Sequence, residues 1–504
     1  MRATSLVMLL TLIASGAQAQ DLAAFEKRTT VKKLDNGLTV IITERHEAPV
    51  FSYATVVNVG AAQEVLGITG LAHMFEHMAF KGSDLIGTKD YTDEKAALAK
   101  VEQAYAAYDA ERRKTTGRDE ARVKQLEKAW HDAIAEADKY VVNNEFATVI
   151  DRVGGVEMNA GTTNDITIYF YSLPSNRFEL WAYLESERFR NPVFREFYKE
   201  RDVVQEERRM RSESSPFGRL LLQFQATAFA AHPYGVPTIG WMSDLQSFSA
   251  TDARAFFEKY YVPANSVIAI VGDVNPSEAI SIIEKYFGRL PKKPVPEPLR
   301  TVEPPQNAER TVVLHETSQP FYLEGYHRPA ATDRDDPTYA VISMLLSTGR
   351  TSRLYKSMVR DKKIAAQASG FNNFPGGKYP NLFTFFVVPT AGHTAPEMMA
   401  PIQAELDRIK TEDVPADELK SVKTRARAAL LRALDSNSGL ARQLALVQTY
   451  YGDWRDLFRN IDRIDKVTPA DIKRVANDTF QPNNRTVAYI ESKPATTASK
   501  GEAK

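Results

Sequence analysis

The chain contains no cysteine. That excludes disulfide bridges and a lipid anchor built on a lipobox cysteine, and it leaves histidine, aspartate and glutamate as the only strong metal ligands. A chain of 504 residues can rely on burial instead of disulfides, so the absence costs little stability. Net charge is also missing: Lys+Arg and Asp+Glu each total 64, which gives no electrostatic reason to expect nucleic acid or an anionic membrane as partner. Long apolar runs are absent too. The stretch Leu6 to Ala14 is too short to span a bilayer, and no later stretch reaches its length, so stable membrane insertion is not expected. With Met1-Arg2 before it and Ala17-Gln18-Ala19 after it, this stretch reads as a secretory signal peptide (1–19) cleaved after Ala19, which implies a periplasmic or secreted protein.

What is present is the composition of a soluble globular protein, 43% hydrophobic and 25% charged, too long for a single core. Strand-like alternation runs over Thr29 to Leu34, through the turn Asp35-Asn36-Gly37, over Leu38 to Thr43 and again over Ser52 to Val59. Residues 92–140 are rich in Ala, Lys, Glu and Arg and break at Thr115-Thr116-Gly117, which predicts a helical hairpin solvated on one side. A strand is expected at Ile166 to Tyr171, with helices at Phe178 to Phe189 and Val193 to Ser212. The proline-rich segment 290–309 marks the domain boundary. Strands resume at Arg310 to Leu314 and Pro320 to Tyr326, and a helix follows at Asp336 to Leu346.

An internal repeat supports two related halves. Ser249-Ala-Thr-Asp252, Pro263, Asn265 and the apolar run to Ile270 recur as Thr468-Pro-Ala-Asp471, Pro482, Asn484 and the run to Ile490, at a constant offset of 219 positions. Both copies read as a capping-box helix, a Pro-Asn turn and a strand. The expected fold is α+β: two homologous domains, 20–289 and 310–491, each an antiparallel β-sheet with helices packed on it. The small, polar tail 492–504 reads as disordered.

One segment narrows the chemistry. His73, Glu76 and His77 form an HxxEH pattern; on a helix the two imidazoles at i and i+4 share a face, and Glu76 lies beside them as a general base. This predicts one zinc ion per chain. A catalytic zinc takes a third protein ligand, and a downstream carboxylate is the natural candidate. The acidic run from Glu200 through Glu206 and Glu207 offers several, and spacing alone neither chooses among them nor separates them from a solvated charged helix.

Together, His73-x-x-Glu76-His77-Met-Ala-Phe-Lys-Gly82, Glu200-Arg-x-Val-Val-x-Glu-Glu207, His232-Pro-Tyr-Gly235 and Gly349-Arg-Thr-Ser-Arg-Leu354 resemble the M16 metallopeptidases, the pitrilysin, insulinase and mitochondrial processing peptidase group. The resemblance spans nearly the whole mature chain. It implies Glu207 as the third zinc ligand, Glu200 as a second functional glutamate, and binding of a peptide substrate as an added β-strand along Asn159-Ala160, although Asn159 also suits a turn before a strand. The hairpin 92–140 then looks like an insertion at the rim of the site, equally suited to packing alone and to gating or partner contact.

One departure from the family pattern stands in the second half, where active members carry Arg and Tyr with six residues between them. Here the positions are Arg360 and Gln367, so the oxyanion-stabilising phenol is replaced by an amide. The sequence therefore predicts a zinc endopeptidase. Three alternatives stay open: a precursor-processing peptidase working with a homologous M16 partner subunit or as a homodimer, a noncatalytic peptide-binding or assembly subunit, and a metal-storage or structural protein.

Overall fold

The computed structural model describes residues 22–492; the expected signal peptide, the predicted cleavage after Ala19 and the tail from residue 493 lie outside the described residues. Within them no helix is long and apolar enough to cross a membrane.

Two sheets organise the chain. The first has the order β1 (Thr29–Lys33), β2 (Thr39–Glu44), β6 (Ser266–Gly272), β3 (Val50–Val57), β5 (Thr167–Pro174), β4 (Val156–Thr162). The second has the order β7 (Arg310–Glu316), β11 (Arg485–Ser492), β8 (Tyr322–Arg328), β10 (Asn381–Pro389), β9 (Ala365–Phe374). The two match strand for strand apart from β1. Ladders are antiparallel except β2–β6 and β7–β11, which run parallel. Each sheet departs from the all-antiparallel expectation by that one pair, because β6 and β11 arrive through long helical crossovers, and such connections permit parallel neighbours.

Strand pairing locates the insertion. Tyr53 of β3 faces Ile270 of β6, and Tyr322 of β8 faces Tyr489 of β11. The halves are therefore offset by 269 positions at β3/β8 but by 219 at β6/β11, so the first half holds 50 extra residues between these strands. Helices Tyr91–Arg112 and Glu120–Ala137 account for them as an antiparallel hairpin. Ser249 with Asp252, and Thr468 with Asp471, form reciprocal capping boxes that start the closing helix of each half. Ser492 ends β11 rather than opening the tail.

Both faces of each sheet are buried, which explains why β6 reads Val-Ile-Ala-Ile-Val without polar alternation. On one face of the first sheet Tyr53, Tyr171 and Ile270 pack with Trp181 and Phe287 of its own half. Its other face, Ile41, Ala54, Val56 and Ala269, is covered by Leu440, Ala441 and Leu444 of helix Asn437–Tyr451, contributed by the second half. Reciprocally, Leu220 and Phe224 of helix Pro216–Ala228, from the first half, pack on Leu323, Leu382 and Ile490 of the second sheet. The two exchanged helices are themselves repeats: Ser215 caps Gly218 N–H, and Ser436 caps Gly439 N–H.

Asp165, in the β4–β5 turn, joins the halves. Its buried carboxylate accepts from Tyr234 Oη (2.5 Å), from Tyr450 Oη on the exchanged helix (3.0 Å), and from the backbone N–H of Gly377 (2.8 Å) and Lys378 (3.1 Å) in the β9–β10 turn. Elsewhere, helix Leu71–Met78, which carries the HxxEH pattern, starts at Gly70 with φ of 96°; a Cβ there would meet Ile239 O at 2.7 Å. Its first free N–H groups are satisfied by Glu64, whose oxygens accept from Gly70 N (2.7 Å) and Ala72 N (2.6 Å).

Replacing Asp165 with Asn leaves one acceptor oxygen for four donors and turns an NH₂ toward them. The expected loss is about 3 kcal/mol, read from the denaturant midpoint; an unchanged midpoint would mean that Asp165 does not hold the halves together. Glu64→Ala should cost about 1–2 kcal/mol as a lost helix cap, with faster amide hydrogen exchange concentrated at Gly70 to Met74. Uniform exchange changes across the first half would contradict a capping role.

Candidate metal centre

The HxxEH helix and helix Phe197–Arg208 pack against each other, and their facing side chains converge. His73 is buried, His77 is half-buried, and their ring centroids lie 4.9 Å apart. Glu207 Oε2 stands 3.8 Å from His73 Nε2 and 3.2 Å from His77 Nε2. Ligand atoms of His73, His77 and Glu207 all fall within 4.8 Å of one another, and among the described residues no other such group of three occurs. Two imidazoles and one carboxylate are a donor set that zinc accepts, with a fourth position open. Glu76 Oε2 lies 3.9 Å from His73 Nε2, so this carboxylate faces the same point.

The register of the second helix resolves the ambiguity left by spacing. Glu200 and Glu207, seven residues apart, share the face toward the histidines, whereas Glu206 turns outward to pair with Arg209. The expected helix Val193 to Ser212 forms over a shorter span, Phe197–Arg208, and continues as a π-helical turn through Glu213. Glu200 Oε2 faces His77 Nδ1 at 3.4 Å, the nitrogen not turned toward Glu207, and so is placed to fix the ring's orientation. Its other oxygen meets Lys81 Nζ at 2.5 Å, and Lys81 also reaches Glu196 at 3.0 Å.

Burial and the neighbouring His77 push the His73 imidazole down to about 4, which favours its neutral, ligating form. At His77 burial opposes the charged form, but Glu200, Glu207 and Glu76 outweigh it and raise the pKa. Burial likewise opposes the charge on Glu200, yet its bonds to His77 and Lys81 leave it below the ordinary carboxyl range.

Two residues that sequence reasoning passed over finish the arrangement. Lys81 lies four residues after His77, and Arg211, four after Glu207, holds Glu207 Oε1 at 2.6 Å. The available signal was the i,i+4 spacing of a cation after each ligand. The insertion's first helix braces the second ligand helix from behind: Glu94 pairs with Arg195, Glu102 accepts from Tyr198 Oη (2.6 Å), and Tyr105 Oη accepts from Arg201 (2.9 Å).

Asn159 and Ala160 lie on the edge strand β4, paired with Phe170 and Tyr169, so Asn159 is a strand residue and not part of a turn. Ala160 N–H donates to Asn159 Oδ1 at 2.8 Å rather than to a further strand. Arg360 and Gln367 are not brought to the cluster. Arg360 forms an exposed pair with adjacent Asp361 (2.6 Å), and Gln367, exposed on β9, donates to Ser369 Oγ (3.1 Å). Helix Asp336–Ser347, which follows β8 in the second half, carries no histidine or glutamate.

Comparison with known proteins places the chain in a family. The profile "Insulinase (Peptidase family M16)" matches residues 39–115, and "Peptidase M16 inactive domain" matches residues 247–426. The chain is 29% identical to the zinc protease PqqE of Helicobacter pylori over 499 residues, 97% of each protein. It is 21% identical to the uncharacterized zinc protease YmxG of Bacillus subtilis, over 88% of this chain and 94% of the relative. Among solved structures, a protease from Helicobacter pylori superposes with a TM-score of 0.76 at 27% identity, covering 92% of this chain and 99% of that one. A peptidase M16 inactive domain from Pseudomonas fluorescens gives 0.72 at 17% identity, covering 93% and 98%, a likeness of fold. With a donor cluster on the family's motif and relatives that span its length, this chain belongs to the M16 family of zinc proteases.

Proposed function

We propose that the protein is an exported zinc-dependent endopeptidase, periplasmic or secreted, that hydrolyses extended peptides. The observation that carries this reading is the convergence of His73, His77 and Glu207 on the point that Glu76 also faces. A zinc ion held there supplies Lewis acidity to a peptide carbonyl and to water. Glu76, to which no described residue donates a hydrogen bond, takes the proton of the attacking water and returns it to the leaving amine. Glu200 and Lys81 keep His77 oriented, and Arg211 holds the oxygen of Glu207 that faces away from the histidines. The free edge of β4 offers backbone groups to an extended chain, and an incoming strand that pairs with Ala160 N–H replaces Asn159 Oδ1.

Replacing His73, His77 or Glu207 with Ala should lower zinc content measured by metal analysis. Glu76→Gln should keep zinc but lose at least about 100-fold in kcat on a peptide library, and a chelator should abolish wild-type cleavage. Near wild-type turnover in Glu76→Gln would remove Glu76 from the role of base.

A second reading concerns completion of the site. Arg360 and Gln367 are exposed, bond only to neighbours in the second half and make no bond to the cluster, which favours a homologous subunit, or a second copy of this chain, finishing the site in trans. The isolated chain should then bind zinc and cleave poorly. Activity should rise on mixing with a homologue that lacks HxxEH but carries Arg and Tyr with six residues between them. Full activity alone, no increase on mixing and no gain from Gln367→Tyr would overturn this reading.

A further inference from the structure

A cavity of about 510 Å³ lies between the insertion hairpin and the back of the ligand helix. Leu98, Val101, Phe194 and Phe197 form apolar walls, and Glu196, which also holds Lys81, lies at its boundary with the metal centre. A second cavity of about 200 Å³ shares Tyr91, Asn191 and Arg254 with the first, so Arg254 stands where the two meet.

The lining carries three acids, Glu102, Asp138 and Glu196, and three bases, Lys95, Lys199 and Arg254, but the acids are all satisfied while two of the bases are not. Glu102 is satisfied by Tyr198 Oη (2.6 Å), Thr251 N (3.0 Å) and Thr251 Oγ1 (2.7 Å). Asp138 pairs with Lys199 (2.8 Å), and Glu196 with Lys81 (3.0 Å). Lys95 and Arg254 also line the cavity, and among the described residues neither forms an ion pair or hydrogen bond. Arg254 is exposed at the cavity rim, with its guanidinium 5.0 Å from the ring centroid of buried Phe194 and its N–H donors free. A cavity of drug-sized volume, with apolar walls on one side, polar groups on the other and an unpaired guanidinium at its rim, matches a ligand with an apolar body and a carboxylate end.

We infer that this cavity is a second binding site, separate from the metal centre, for an apolar monocarboxylate, with Arg254 holding the carboxylate and the Leu98–Phe197 walls enclosing the body. The same chemistry is offered by a peptide C-terminus with an apolar last residue and by a free fatty acid, so both are probed.

The test is calorimetric titration of the mature full-length protein with N-acetyl-Leu-Phe, its C-terminal amide and decanoate. Saturable binding of either carboxylate, with the amide silent, is expected, and whichever carboxylate binds identifies the source. Arg254→Glu should weaken binding about 10-fold to 100-fold, the loss of a charge-assisted hydrogen bond. Leu98→Trp, which fills the chamber and leaves its charge alone, should weaken it too, while zinc content and thermal midpoint show that both variants remain folded. No saturable binding at millimolar concentration, equal binding of the amide, or binding unchanged in Arg254→Glu would overturn the assignment.

Discussion

Each sheet presents two apolar faces, and each half lends the helix that covers the second face to the other half's sheet. That constraint governs the architecture. The first sheet needs Leu440 and Leu444 from the second half, and the second sheet needs Leu220 and Phe224 from the first, so each half has an unsatisfied face until the other folds onto it. Burial of this kind is worth roughly 1.5–3 kcal/mol per large side chain, and it is non-directional. Direction comes from Asp165, whose four donors belong to a turn, an exchanged helix and a 3₁₀ segment from both halves. Apolar area brings the halves together, and Asp165, with directed contacts such as Lys378–Asn58, Arg219–Glu316 and Arg455–Glu26, helps to set how they meet.

The same division between packing and directed charge holds at the metal centre. The two ligand helices are positioned by burial and by the bracing of the insertion, through Glu94–Arg195 and Tyr105–Arg201. What remains is to bring three carboxylates and two imidazoles close together without mutual repulsion. Lys81 takes the outer oxygen of Glu200, and Arg211 takes that of Glu207, so each carboxylate turns one oxygen to the histidines and one to a cation. Among the described residues, Glu76 alone of the three has no Lys or Arg counterion.

The HxxEH helix, the hairpin and the repeat were legible in the sequence because each is a local pattern: i,i+4 spacing, helical composition, and a capping box followed by Pro and Asn. The choice of Glu207 over Glu206 was not legible from spacing, since one residue of helical register rotates a side chain by about 100° and only the packing of the second helix on the first decides which one turns inward. The exchanged helices were equally hidden, because the periodicity of Leu440, Ala441 and Leu444 says that a face is buried and not which sheet buries it. The edge strand β4 escaped as a strand because Glu157 takes a positive φ and the pairing shifts between Val156 and Asn159, a bulge that breaks the two-residue alternation.

Duplication has left the halves with one topology and unequal chemistry. After β3 comes a short helix with two histidines and a glutamate; after β8 comes Asp336–Ser347, whose Tyr339, Ile342, Leu345 and Leu346 are buried in the second core. A polar cluster there would have to be desolvated without a partner, whereas in the first half the helix Phe197–Arg208 supplies Glu200 and Glu207 to meet the imidazoles. One half carries both helices of the candidate centre, and the other covers the first sheet and receives Asp165 at its β9–β10 turn. The second half therefore acts on the metal centre through the sheet and the turn it stabilises.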